Sequence, residues 1–321
     1  MANAFTGTAA MANLVQTTYD RALEFALRAQ PMFRNVADKR PVQQAMPGSS
    51  VVFEIYQDLA QAITPLNELV DPDAVAAGNP TTVSVTLNEY GNSILVSNKL
   101  DLFSFTDVTA GLVNQVAWNL VDSIDLVVQN VLAAGTQVIR QNGDPATVAP
   151  TYNGGTTNGV QPTSIYSSKA ARLAVAKLRS QKVHPNKGSF YTTYLHPEVS
   201  HDLRAETGNA AWRDPHNYSA AGNIWAGEIG EYEGSVFIET PRANNALNAG
   251  TTPTRVFQTY TVGQQALAEA VAEEFHTVRG PVVDKLTRFQ PLGWYGVAGW
   301  SLYRPEALIR TETTSSIHAT T

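Results

Sequence analysis

The sequence predicts an α+β fold in which an arm and a long excursion precede a mixed body of strands and helices. Three observations carry this expectation: apolar residues recur at helical spacing across residues 106–134, residues 82–97 alternate apolar and polar, and a proline-bearing connection of about two dozen residues separates that alternation from an earlier strand-like run. The length agrees, because 321 residues with 43% hydrophobic content can bury a sizeable core.

Taken in order, Asn13 to Ala29 has helical spacing, with Leu14, Tyr19, Leu23, Ala26 and Leu27 near one side, and Pro31 stops it. After the turn-like Pro47-Gly48, the run Ser50 to Tyr56 reads as a strand. A second strand is expected from Thr82 to Ser97, where Val83, Val85 and Leu87 alternate with Thr82, Ser84, Thr86 and Asn88. The connection between them carries Pro65, Pro72, Gly78 and Pro80. It is too long for a tight hairpin, and an excursion of that size is usually functional or held by a partner.

The longest helix signal follows. Thr106 can cap it and Asp107 suits its N-terminus; Leu112, Val116, Leu120, Ile124, Val127, Val131 and Leu132 then recur until Gly135 ends it. Such a helix would be about 40 Å long. Residues 142–163, rich in Gly, Asn, Thr and Pro, read as a loop with a β-excursion. A second helix is expected from Ser167 or Ser168 to about Gln181, with Ala171, Ala174, Val175 and Leu178 inward and Lys169, Arg172, Arg179 and Lys182 outward. Beyond it the pattern gives a strand at Phe190–Leu195, a short helix at Pro197–Glu206, strands at Gly234–Glu239 and Arg255–Thr261, and a strand pair over Thr287–Trp300 turned near Leu292-Gly293. No repeat of 20 to 50 residues is visible, which excludes solenoids and propellers.

Composition removes several function classes. There is no cysteine, so disulfides, zinc fingers and thiol catalysis are excluded. The apolar stretch Val108–Ala134 is interrupted by Asn114, Asn119, Asp122, Asp125 and Asn130 and does not read as a membrane span. Met1-Ala2-Asn3-Ala4-Phe5 lacks the basic residue and apolar run of a secretory signal, so synthesis and folding are expected in the cytosol.

The net charge of −6 hides opposed blocks. The first 40 residues are mildly basic through Arg21, Arg28, Arg34, Lys39 and Arg40. Residues 41–139 hold ten acids against Lys99 alone, giving −9, and residues 140–197 hold seven bases against Asp144, giving +6. Blocks of opposite sign on one chain suit a protein that meets copies of itself through complementary surfaces.

Catalytic motifs are weak. His196 and His201 in His196-Pro197-Glu198-Val199-Ser200-His201 are five apart, about 140° round a helix, so they do not share the metal-binding face of a metalloprotease. His196 reads instead as a cap. Lys187-Gly188-Ser189 lacks the preceding glycines of a phosphate loop, and Asp71-Pro72-Asp73 lacks the spacing and central glycine of a calcium loop. Glu269 to Glu274 reads as a solvated acidic edge. Trp212, Trp225, Trp294, Tyr295 and Trp300 stand without basic interleaving, which favours packing over nucleic-acid stacking.

Several stretches, in serial order, carry a resemblance. These are Gly48 to Phe53, Thr64 to Glu68, Leu87 to Ile94, Ser189 to Val199 with Asp202-Leu203-Arg204, Gly227 to Thr240, and Phe289 to Trp300 ahead of Arg304 to Arg310. Together they resemble the major capsid proteins of tailed phages, in the branch that includes the coat proteins of N4-like podoviruses. The resemblance implies a tailed-phage (herpesvirus-type) capsid fold: an N-terminal arm (1–47), an extended two-stranded loop (48–98), a peripheral domain with a long spine helix (99–188), an axial domain (189–280), and return strands with the C-terminus (281–321).

It further implies a non-enzymatic shell subunit without cofactors, self-assembled into hexamers and pentamers of an icosahedral head around double-stranded DNA. A separate scaffolding protein, a portal and decoration proteins are the implied partners; DNA contact is weak and non-specific, and no membrane is involved. Assembly would take place in the host bacterial cytoplasm. Some capsids of this fold bond a loop lysine to a neighbouring asparagine, but residues 41–98 contain no lysine, so noncovalent cohesion is expected. The interface is placed on Leu59, Ile63, Leu66, Glu68, Leu69, Val70, Asp71 and Asp73 of the loop. Its basic counterpart is placed on Arg28, Arg34, Lys39 and Arg40 of the arm or on Arg172 and Arg179. The alternatives are an encapsulin-like nanocompartment shell and a metal-dependent hydrolase using His196, Glu198 and His201.

Overall fold

Strands of three separate hydrogen-bonded systems are strung along the chain, and one long helix lies between them. The computed structural model describes residues 30–41, 50–56, 58–71, 73–103, 108–206, 228–251, 253–282 and 284–318. The expected arm helix over Asn13–Ala29, the capping residues Thr106 and Asp107, and Trp212 and Trp225 lie outside them.

In chain order, a 3-10 turn at Phe33–Val36 leads into β1 (Ala37–Pro41), followed by β2 (Ser50–Ile55), β3 (Thr81–Thr86) and β4 (Asn88–Ser97). Then come α1 (Asn98–Phe103), α2 (Val108–Ala133), β5 (Val138–Arg140), β6 (Thr151–Tyr152), α3 (Ser168–Ser180), β7 (Tyr191–Leu195) and α4 (Pro197–Ala205). The remainder is β8 (Glu228–Tyr232), β9 (Ser235–Glu239), β10 (Asn245–Ala246), β11 (Val256–Val262), β12 (Leu267–Arg279), β13 (Phe289–Leu302) and β14 (Leu308–Thr313).

A four-stranded sheet runs β1-β12-β13-β4, and a larger one runs β6-β5-β14-β11-β7-β9-β8 with β10 beside β11. β2 and β3 form a ribbon of their own. The spine helix α2 bridges the two sheets, because Val116, Ile124, Val128 and Leu132 are buried in one cluster with Tyr194, Tyr260 and Leu308 on one side and Leu267, Trp294 and Trp300 on the other. It stops at Gly135, where a Cβ would lie 2.8 Å from Leu308 Cδ2, and the Arg310 guanidinium donates to the freed carbonyl of Ala133. Helix α3 follows the expected pattern, burying Ala171, Ala174, Val175 and Leu178.

Four expectations need correction. The alternating run from Thr82 to Ser97 is not one strand: it breaks at Leu87, with β3 pairing to β2 and β4 to β13. Phe289–Leu302 is one strand rather than a pair turned at Gly293. Its glycines serve close approach, since a Cβ on Gly293 would lie 2.5 Å from Asn92 O on β4. The acidic run Glu269–Glu274 is part of β12, and Glu269 is fully buried rather than solvated. Finally, α1 follows β4 directly, over a stretch where the sequence pattern predicts no helix.

Candidate assembly interface

Between the ends of β2 and β3 the chain leaves the body. The ribbon's base is held, with Phe53 and Val85 buried against Ala268, Ala270 and Tyr303. Beyond it every described residue from Asp58 to Asn79 is exposed. Among them Ile63 is 85% exposed, Leu66 78% and Leu69 92%, and Leu59, Val70 and Val75 are exposed as well. Such a density of uncovered large apolar side chains is uncommon on a monomer's surface and makes this stretch the candidate for contact with another molecule. Glu68, Asp71 and Asp73 are exposed alongside them.

The expected basic residues are not gathered at one place. Arg28 lies outside the described residues. Arg34 is engaged within the chain: its guanidinium donates to both oxygens of the buried Glu269, with Nη2 2.5 Å from Oε1, and stands over the Phe275 ring. Lys39 is exposed on β1 opposite Glu269, and Arg40 pairs in register with Ala270. Arg172 is half exposed, 4.0 Å from Glu233. Arg179 packs its guanidinium over Gly234 and hydrogen-bonds Tyr191. Lys39 and Arg179 are thus both exposed cations, Arg179 while also lying over Gly234, whereas Arg34 is committed to the buried Glu269.

Sequence reasoning missed a second uncovered apolar group. Leu102 and Phe103 of α1 are exposed, as are Leu95 on β4 and Leu286 before β13. They share one end of the sheet, since Asn98 donates from its backbone to Arg288 O and from its side chain to Thr287 O. The signal was present as Leu100-Asp101-Leu102-Phe103, an apolar run too short to register as an element.

No metal site competes with this reading among the described residues. His196 caps α4 by accepting the Glu198 amide at Nδ1, and burial lowers its pKa; His201 points elsewhere, toward Asp202 at 3.5 Å. Among the described residues no helix is long and apolar enough to cross a membrane.

A family model described as phage capsid protein matches residues 7–307. The chain belongs to this family. Solved phage capsids share the fold at low identity. The cyanophage Pam1 capsid matches with a TM-score of 0.71 at 12% identity, covering 98% of this chain and 100% of that one. The Ralstonia phage GP4 capsid gives 0.70 at 13%, covering 94% and 96%. The acid-stable capsid of Helicobacter pylori bacteriophage KHP30 gives 0.70 at 12%, covering 98% and 99%. No curated protein matches the chain. As a phage capsid protein it has the tailed-phage major capsid fold, and it is a structural shell component, not an enzyme.

Proposed function

We propose that this capsid protein builds an icosahedral head of hexameric and pentameric capsomers around double-stranded DNA, and that its extended loop seats on a neighbouring copy. The single observation behind this reading is the uncovered apolar series from Leu59 to Val75. Six such side chains, each contributing about 1.5–3 kcal/mol when fully buried, outweigh any exposed ion pair at ~0–1 kcal/mol. Apolar contact therefore supplies the strength, and the loop acids Glu68, Asp71 and Asp73 supply the register.

In this reading residues 1–47 are the arm, 48–98 the extended loop, 99–188 and 281–321 the peripheral domain, and 189–280 the axial domain. The branch that includes N4-like coat proteins is favoured by the serial order of Gly48–Phe53, Thr64–Glu68, Leu87–Ile94, Ser189–Val199, Gly227–Thr240 and Phe289–Trp300. A separate scaffold, a portal and decoration proteins complete the partner set, with assembly in the host cytoplasm and the virion as destination. The test is deletion of Leu59–Pro80. A folded, soluble subunit that no longer forms closed shells is expected; closed shells without the loop would overturn the assignment.

A further inference from the structure

The loop is anchored very differently along its length. From Ser50↔Thr86 to Ile55↔Thr81 the ribbon is paired in register and seated on the four-stranded sheet. Beneath it β12 presents the small side chains of Ala268 and Ala270, and β13 presents Gly299. A Cβ on Gly299 would lie 2.1 Å from the Thr86 carbonyl oxygen and 2.9 Å from Val85 Cγ1, so the ribbon backbone rests directly on that of β13. On the adjacent side Phe53 meets Tyr303 edge-on, with centroids 5.9 Å apart and planes at 79°. Past Ile55 the described loop residues from Asp58 to Asn79 are all exposed, so among the described residues the tip projects free of the body.

We propose that Gly299 and the Phe53–Tyr303 contact set the angle at which the loop projects, and that this angle fixes the curvature of the closed shell. The inference rests on the reading that the loop contacts a neighbouring copy. Phe53, Gly299 and Tyr303 are all buried within their own chain, so they act on the neighbour only by positioning the loop. Leverage makes the seat sensitive. A methyl group at 299 lifts one end of a ribbon base about 20 Å long by roughly 1 Å, a rotation of about 3°; carried along roughly 40 Å of extended chain, this displaces the tip by about 2 Å. Repeated at every copy, that displacement changes the radius at which identical contacts close.

The experiment expresses the full chain carrying Gly299→Ala or Phe53→Ala, measures subunit melting, and images the particles by cryo-electron microscopy. Folded subunits are expected to give particles whose diameters are displaced, split into several sizes, or open. Tyr303→Phe, which keeps the ring, should give the native diameter. Leu203→Ala, buried in the separate cluster with Tyr166 and Phe237, should lower melting yet leave the diameter unchanged. Single-peaked native diameters in both Gly299→Ala and Phe53→Ala would overturn the inference, as would a displaced diameter in Leu203→Ala. Should Gly299→Ala fail to fold, Phe53→Ala decides. Closed shells from the loop-deleted chain would instead sink the underlying reading, whatever the diameters.

Discussion

The backbone N–H of Phe33 donates to Asp125 Oδ1 at 2.8 Å, tying the 3-10 turn before β1 to the middle of α2. The other carboxylate oxygen receives Arg242 Nε, also at 2.8 Å, and Arg242 reaches Asp122 as well. Three segments far apart in sequence therefore meet on one buried side chain. Burial raises the Asp125 pKa, with the Phe33 amide and Arg242 opposing that rise. The folded pKa thus lies above the unfolded one, so the linked stability is fully present below the unfolded pKa and is lost as pH rises through the folded value. By this linkage alone, acid is expected to favour the junction rather than weaken it.

Removing the carboxylate weakens it. Asp125→Ala leaves the Phe33 amide unpaired and weakens the only partly exposed Arg242, an expected loss on the order of 3 kcal/mol. Asp125→Asn keeps an acceptor and should cost less than half of that. Urea denaturation of the unassembled subunit measures both, and equal losses would count against the junction.

Alkaline pH attacks the same core from the tyrosine side. Tyr194 packs on Phe33 at 5.4 Å, and burial, aided by the Asp125 charge, pushes its pKa up to about 12. Its stability contribution is therefore complete below the unfolded value of about 10 and is lost as pH rises toward the folded value, at up to ~1.4 kcal/mol per pH unit. Tyr166 and Tyr260 are raised in the same direction by burial. Tyr194→Phe keeps the ring and should flatten the fall in stability between pH 10 and 11.5 by a measurable part of one proton, read from denaturant midpoints across that range. An unchanged slope would show that Tyr194 is not among the groups that titrate.

Arg34 and Glu269 allow a sharper separation of partners. Arg34→Ala strands a fully buried carboxylate and should destabilise by about 3–5 kcal/mol, whereas the double change Arg34→Met with Glu269→Leu removes both charges and should recover most of that loss. Protease sensitivity just after residue 30 reports whether the arm has left β12. A double variant as weak as Arg34→Ala would show that the charge pair itself holds the arm.

That pair also shows what the sequence concealed. The periods of α2 and α3 and the cap at His196 were legible, because each is decided by neighbours within four residues. Glu269 looks solvated from its local pattern because its partner is 235 positions away. Gly293 suggests a turn from the sequence alone because a glycine in a strand pattern has two explanations, and only the nearness of Asn92 O distinguishes them. The exposure of Ile63, Leu66 and Leu69 is the opposite case, since among the described residues it depends on no long-range partner.

This asymmetry gives a test in which folding and assembly come apart. In the single chain Leu69 is 92% exposed and Ile63 85%. Replacing either by Asp removes almost no intrachain contact, so subunit stability should stay within ~0.5 kcal/mol. In the shell the same carboxylate would be buried against apolar surface without a partner, at a cost of several kcal/mol per copy repeated over every copy. Leu69→Asp and Ile63→Asp are therefore expected to give soluble, normally melting subunits that sediment as small species, and the double variant should be the more complete block. Phe237→Asp, inside the larger sheet, should do the reverse and fail at folding. If Leu69→Asp and Ile63→Asp both gave native shells, the loop's apolar residues would not be the contact that holds copies together, and Leu102 and Phe103 would be the next surface to change.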